Sequence, residues 1–178
     1  MLPKENMSFE AYRPLLDDPT PRSIVFEGFH EWMVYSKAYA ENEWKGVEQW
    51  NTPTSLVLRP NEIKRFSLKF VLSDGVENIQ ESLLKEEWPV ATGIPGYVIP
   101  KDVKAQLFLN YKSEVASIDI EPKGALKITV NGTTAKGLKK YAVSGKLWGS
   151  ARVAITYKDG VKQTIHYKVI KSETEVVK

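Results

Sequence analysis

Cysteine is absent from this 178-residue chain, and histidine occurs only at His30 and His166. Without cysteine there is no disulfide framework, no thiolate metal site and no cysteine nucleophile. Two histidines so far apart carry neither a metal-ligand spacing nor a triad pattern, so no metal and no cofactor is expected. A surface or rim role is the expectation for both. A glycine-rich phosphate loop, a nucleophile elbow and a metalloprotease helix are also missing, which disfavours phosphoryl transfer and serine hydrolysis. No hydrophobic window approaches a membrane span, and the opening Met1-Leu2-Pro3-Lys4-Glu5-Asn6 is polar where a signal peptide needs an apolar run. A soluble chain with no membrane partner and no export signal of its own is expected; its compartment stays open.

What is present describes a globular protein, with 42% hydrophobic and 26% charged residues. The length suits one large domain or two small ones. The net charge of +3 conceals an asymmetry. Residues 1–101 hold 11 Lys+Arg against 15 Asp+Glu, a balance of −4, while residues 102–178 hold 14 against 7, a balance of +7. The lysines of the basic half are spread singly along strand patterns without clustered arginine or an RNA-binding aromatic motif. Solvated strand faces are therefore expected, and no nucleic acid partner.

The stretch Ala91-Thr92-Gly93-Ile94-Pro95-Gly96-Tyr97-Val98-Ile99-Pro100 divides the chain, because its prolines push Ile94 and Ile99 into extended backbone and stop any helix. Residues 1–22, with four prolines and no period, read as a leader or linker. Residues 23–101 read as a β-sandwich segment, with strands at Ser23–Glu27, Glu31–Ser36 and Ser55–Leu58 and a turn at Arg59-Pro60-Asn61-Glu62. Phe66, Leu68, Phe70 and Leu72 alternate with other residues and predict a half-buried strand with its even-numbered side inward. Val76, Ile79 and Leu83 follow at helical spacing and predict one short helix ending before Trp88-Pro89, with Asp74 near its N-terminus. A second short helix over Ala38–Trp44 remains an alternative to continued strand.

Residues 102–171 show strand after strand: 104–110, 115–120, 125–130, 139–143, 151–157 and 161–170. Such spacing predicts a compact immunoglobulin-like β-sandwich. Asp159-Gly160 predicts a primed hairpin turn, and Asn131-Gly132 a second turn that with Thr133 also forms a glycosylation acceptor sequence. Residues 172–178 read as a frayed tail. The fold class is thus mainly β, a partial sandwich with one short helix followed by a complete small sandwich.

The segment 39–50 sets Tyr39, Trp44 and Trp50 among Glu41, Asn42, Glu43, Glu48 and Gln49. Sugars offer apolar C–H faces and hydroxyl edges, so rings flanked by carboxylates and amides suit a carbohydrate contact. Tyr39, Glu41, Glu43, Trp44 and Trp50 are the candidates. The competing reading, favoured by the usual burial of large aromatics, has the tryptophans pinning the loop onto its own domain or a neighbour. Glu27, Glu31, Glu41, Glu43 and Glu48 could supply an acid and a base to glycoside hydrolysis, but solvated or capping roles are much commoner for glutamate. No catalytic residue is assigned.

Phe26-Glu27-Gly28, Glu31-Trp32-Met33-Val34, Ser36-Lys37-Ala38-Tyr39-Ala40-Glu41-Asn42-Glu43-Trp44, Leu58-Arg59-Pro60-Asn61-Glu62 and Gly93-Ile94-Pro95-Gly96-Tyr97-Val98-Ile99-Pro100 together carry a resemblance. The chain resembles a non-catalytic region of large microbial six-hairpin glycosidase-like proteins of otherwise unknown function. In those proteins a β-supersandwich and a small immunoglobulin-like module accompany an α/α-toroid, which this chain lacks. The resemblance implies an extracellular parent and a non-enzymatic accessory region that positions a neighbouring catalytic domain and contacts a polysaccharide or oligosaccharide. The alternative is a free-standing carbohydrate-binding or adhesion protein built from immunoglobulin-like modules.

Overall fold

The computed structural model describes residues 2–3, 7–14 and 30–177. The strand expected at Ser23–Glu27 lies outside the described residues. The chain divides into two compact units, Met1–Phe70 and Val71–Lys178.

The first unit begins with β1 (Leu2–Pro3); β2 (Ala11–Pro14) pairs antiparallel with β3 (His30–Met33), and α1 (Lys37–Glu41) follows. β4 (Leu68–Lys69) closes the unit, antiparallel to β1. Residues read as a leader thus supply β1 and β2. The helical alternative for the segment after Ser36 holds, for five residues. Three expectations change here. Ser55–Leu58 forms no strand; between Pro53 and Pro60 it meets no ladder partner, and Val57 is 84% exposed. The alternation from Phe66 to Leu72 yields only the two-residue β4, and its even-numbered side faces outward, with Phe70 80% and Leu72 94% exposed. Period two selects a face, but burial needs a second layer to press against it. Arg59–Glu62 does turn as expected: the Glu62 N–H donates to the Arg59 carbonyl at 3.0 Å, and Asn61 takes a positive φ of 67° behind Pro60.

The second unit opens with a 3-10 turn (Val76–Asn78) running into α2 (Ile79–Lys85), as the helical spacing predicts. Asp74 does not cap it; Gly75 and Asn78 occupy the cap positions, without side-chain cap bonds. Eight strands follow: β5 (Val90–Ile94), β6 (Val98–Pro100), β7 (Lys104–Asn110), β8 (Val115–Glu121), β9 (Leu126–Thr133), β10 (Lys139–Gly145), β11 (Gly149–Tyr157) and β12 (Lys162–Ile170). They form two four-stranded sheets, β5-β7-β10-β9 and β6-β12-β11-β8, antiparallel except where β6 runs parallel to β12. The protein is mainly β, and this unit is a β-sandwich.

Alternation drives this packing. Ala105, Leu107 and Leu109 of β7, Tyr141 and Val143 of β10, Val153 and Ile155 of β11, and Ile165, Tyr167 and Val169 of β12 point inward, most with no more than 2% of their surface exposed. The Pro/Gly stretch read as a joint between modules is instead a corner inside the sandwich. Ile94 and Ile99 are extended as expected, but β5 bonds to β7 in one sheet and β6 to β12 in the other, with a cis Ile94–Pro95 peptide between them. The unit boundary accordingly lies between Phe70 and Val71, upstream of the expected one near residue 102.

Two turn expectations are corrected. Asp159-Gly160 lies in a three-residue loop, where the Gly160 N–H reaches the Tyr157 carbonyl and the Tyr157 N–H the Val161 carbonyl, both at 2.9 Å. Gly160 has φ 86° but Asp159 has no positive φ, so this is an ordinary turn closed by a glycine and not a primed one. Asn131-Gly132 lies within β9, where two residues oppose the single Lys140 of β10: a β-bulge with Gly132 at φ 91°. Ser172, expected in a frayed tail, begins α3 (Glu173–Val176) with a capping box to Glu175.

Candidate functional site

The candidate site lies in the first unit and is organised by Phe9, Glu10 and β2. The Glu10 N–H donates to the Met33 carbonyl at 2.8 Å, and the Glu10 carbonyl accepts from the Trp50 and Asn51 N–H groups at 2.9 and 3.3 Å. The Asn51 side-chain amide donates to the Phe9 carbonyl at 2.6 Å. Glu10 itself is 4% exposed. Its carboxylate accepts from the Ser36 N–H at 2.7 Å, the Ser36 hydroxyl at 2.9 Å, the Thr54 N–H at 3.0 Å, and the Thr54 hydroxyl. A buried carboxylate surrounded by donors is satisfied as an anion. Burial pushes its pKa up, but the hydrogen bonds from Thr54 and Ser36 outweigh that and hold it below the ordinary 4.5. Ser36, at the N-cap of α1, spends its hydroxyl on Glu10 in place of capping the helix.

The loop from Ser36 to Thr54 is thereby fastened at both ends and again at Trp50 and Asn51, and the fastening orders its rings. Tyr12 and Trp50 stack with centroids 5.9 Å apart and planes 4° apart. Trp32, opposite Tyr12 in the β2–β3 ladder, stands edge-on to Trp50 at 5.7 Å and to Tyr12 at 5.3 Å, and Phe9 adds a tilted contact to Trp32 at 5.4 Å. Tyr39 lies tilted against Trp44 at 5.2 Å. Tyr12, Trp44, Val47, Glu48, Gln49 and Trp50 line an open cleft of about 220 Å³. Gly46, with φ 87°, occupies the third position of a turn in which the Val47 N–H reaches the Trp44 carbonyl at 2.9 Å. That turn brings the segment after Trp44 back toward Trp50.

Of the five sequence candidates, Trp44 and Trp50 line the cleft, and Tyr39, outside its lining, packs against Trp44. Trp50 is 43% exposed, so it is both a packing ring and a surface ring. Glu41 forms an exposed ion pair with Lys37 at 3.7 Å along α1, and Glu43 is exposed. Neither lines the cleft. Among the described residues no group of three or more His, Asp or Glu side chains could hold a metal ion, and no helix is long and apolar enough to cross a membrane. His166 is exposed on β12 opposite Arg152.

All of residues 1–178 match the model of a family of unknown function, DUF5695. The chain belongs to that family. No curated protein matches this DUF5695 chain. It is similar to a solved structure described as a polysaccharide lyase, at 14% identity and a TM-score of 0.43; the match covers 59% of this chain and 15% of the lyase chain.

Sequence reasoning named Gln49 only as a neighbour of the rings, did not count Tyr12 or Trp32 as candidates and, above all, passed over Glu10. The four-residue β2 is too short to show a period, and nothing local marks Glu10. Its donors lie 26 and 44 residues downstream. Trp32 did sit in an expected strand, where its pairing with Tyr12 depended on a partner that the sequence presented as leader.

Proposed function

We propose that this DUF5695 chain is a non-catalytic carbohydrate-contacting region of a larger, extracellular glycoside-hydrolase-like protein, in which it positions a neighbouring catalytic domain. The observation that carries the reading is the cleft where Tyr12, Trp44 and Trp50 converge beside Glu48 and Gln49. Rings meet the C–H face of a sugar, while a carboxylate and an amide meet its hydroxyls. In the six-hairpin resemblance, the β5–β12 sandwich takes the place of the immunoglobulin-like module. In this reading hydrolysis belongs to the neighbouring domain; the buried Glu10 carboxylate of this unit is already occupied by Ser36 and Thr54.

The test is titration of the purified chain with neutral oligosaccharides, followed by tryptophan fluorescence and heteronuclear NMR. Binding is expected at about millimolar to high-micromolar concentrations, weakened by Trp44→Ala and Trp50→Ala, with no release of reducing ends. If neither substitution alters binding while both lower stability by several kcal/mol, the rings only hold the loop and the reading fails.

A further inference from the structure

The loop that crosses from β10 in one sheet to β11 in the other carries Leu147 and Trp148 at its tip, 51% and 64% exposed. The tip is held in place. The N–H groups of Lys146 and Leu147 both donate to the Ala125 carbonyl, at 2.8 and 3.2 Å, and Ala125 is buried. Gly149, at φ 125°, turns the chain into β11 directly after the indole. A large ring is therefore held in solvent by a fixed backbone.

Beside the ring, on the β11–β12 face, stand polar and cationic groups. The Lys168 ammonium lies over the indole, 5.9 Å from its centroid, and donates to the Ser150 hydroxyl at 3.1 Å. Ser150 and Lys168 face each other across the β11–β12 ladder, and further along the same outer face His166 stands opposite Arg152. Arg152 is paired with Glu121 at 2.5 Å, whereas no carboxylate is paired with Lys168 among the described residues. Residues 102–178 carry the chain's excess of positive charge, 14 Lys+Arg against 7 Asp+Glu. An apolar protein partner would want more apolar surface around the ring than Leu147 and Val98, the exposed neighbour of Lys168 on β6, add to serine, lysine and arginine.

We propose that Trp148, Lys168 and Ser150 form a binding site for an anionic polysaccharide built from uronate residues. The indole stacks on the C–H face of one sugar, the Lys168 ammonium pairs with its carboxylate, and the Ser150 hydroxyl bonds to a neighbouring hydroxyl. At 5.9 Å the present cation–ring contact is near the roughly 6 Å limit of its range, so the ammonium is readily redirected to a carboxylate. This site is separate from the cleft of the first unit and does not rest on it.

The full chain is titrated with oligogalacturonate, with a neutral oligosaccharide of the same length and with a sulfated one, by calorimetry and NMR. Oligogalacturonate is expected to bind best, and less tightly as salt rises. Trp148→Ala should weaken that binding by about tenfold or more, Trp148→Phe should recover part of it, and Lys168→Gln should remove the preference over the neutral chain. Thermal stability should stay unchanged in all three variants, and Trp50→Ala should leave uronate binding untouched. Absence of uronate binding at millimolar concentration, equal binding of the neutral chain at Trp148 as located by NMR, or native-like binding by Trp148→Ala would each overturn the proposal. Preference for the sulfated chain would overturn the carboxylate assignment.

Discussion

The Glu10 carboxylate takes both the backbone N–H and the hydroxyl of Ser36, 26 residues away, at 2.7 and 2.9 Å. Together with Thr54 this closes the loop that carries Trp44 and Trp50. Glu10→Gln replaces a charged acceptor with an amide whose NH2 faces donors, leaving at least one buried donor unmatched. The expected loss is about 2–4 kcal/mol. Urea denaturation followed by tryptophan emission measures it, and a loss under 0.5 kcal/mol would refute the role given to Glu10.

The same carboxylate makes the first unit acid-sensitive. Its folded pKa lies below the unfolded 4.5, so its contribution is fully present above 4.5 and disappears as pH falls through the lower folded value. Denaturation midpoints taken between pH 6 and pH 2 should fall in native protein, and fall less in Glu10→Gln.

Gly145 is required by packing and not by its backbone angle. A Cβ there would stand 2.5 Å from Val169 Cγ1, and Val169 has none of its surface exposed. Gly145→Ala should therefore cost about 1–3 kcal/mol, with chemical-shift changes centred on Val169.

The Tyr167 hydroxyl is buried with no hydrogen-bond partner among the described residues, and burial, with Tyr97 adding to it, pushes its pKa well above 10. Tyr167→Phe removes that hydroxyl while keeping the ring, which stands edge-on to Tyr97 at 5.4 Å. The variant should match or exceed native stability, by up to about 1–2 kcal/mol in thermal unfolding.

Gly160→Val tests the β11–β12 loop. Open space surrounds the position, so strain from φ 86° alone should destabilise the sandwich, by about 1–3 kcal/mol. Gly160→Asn, which tolerates positive φ, should cost less under the same denaturation.

How much was legible in the sequence depended on the distance over which each feature is decided. The strands from Lys104 to Ile170 could be read to within three residues, because alternation and turn residues are local even where the pairing is not: β7 pairs with β10 and β8 with β11, about 30 residues downstream. The extended backbone of Ile94 and Ile99 followed from Pro95 and Pro100 in the same way. Tertiary structure decided the rest. Whether the even-numbered side from Phe66 to Leu72 is inside depends on what lies against it, and whether Ile94-Pro95-Gly96-Tyr97 parts two domains or turns between two sheets depends on the partners of β5 and β6. The candidate cleft is the extreme case. Tyr12, Trp44 and Trp50 meet only because Glu10 gathers donors from Ser36 and Thr54, and burial makes such long-range hydrogen bonds strong without leaving a pattern in the sequence.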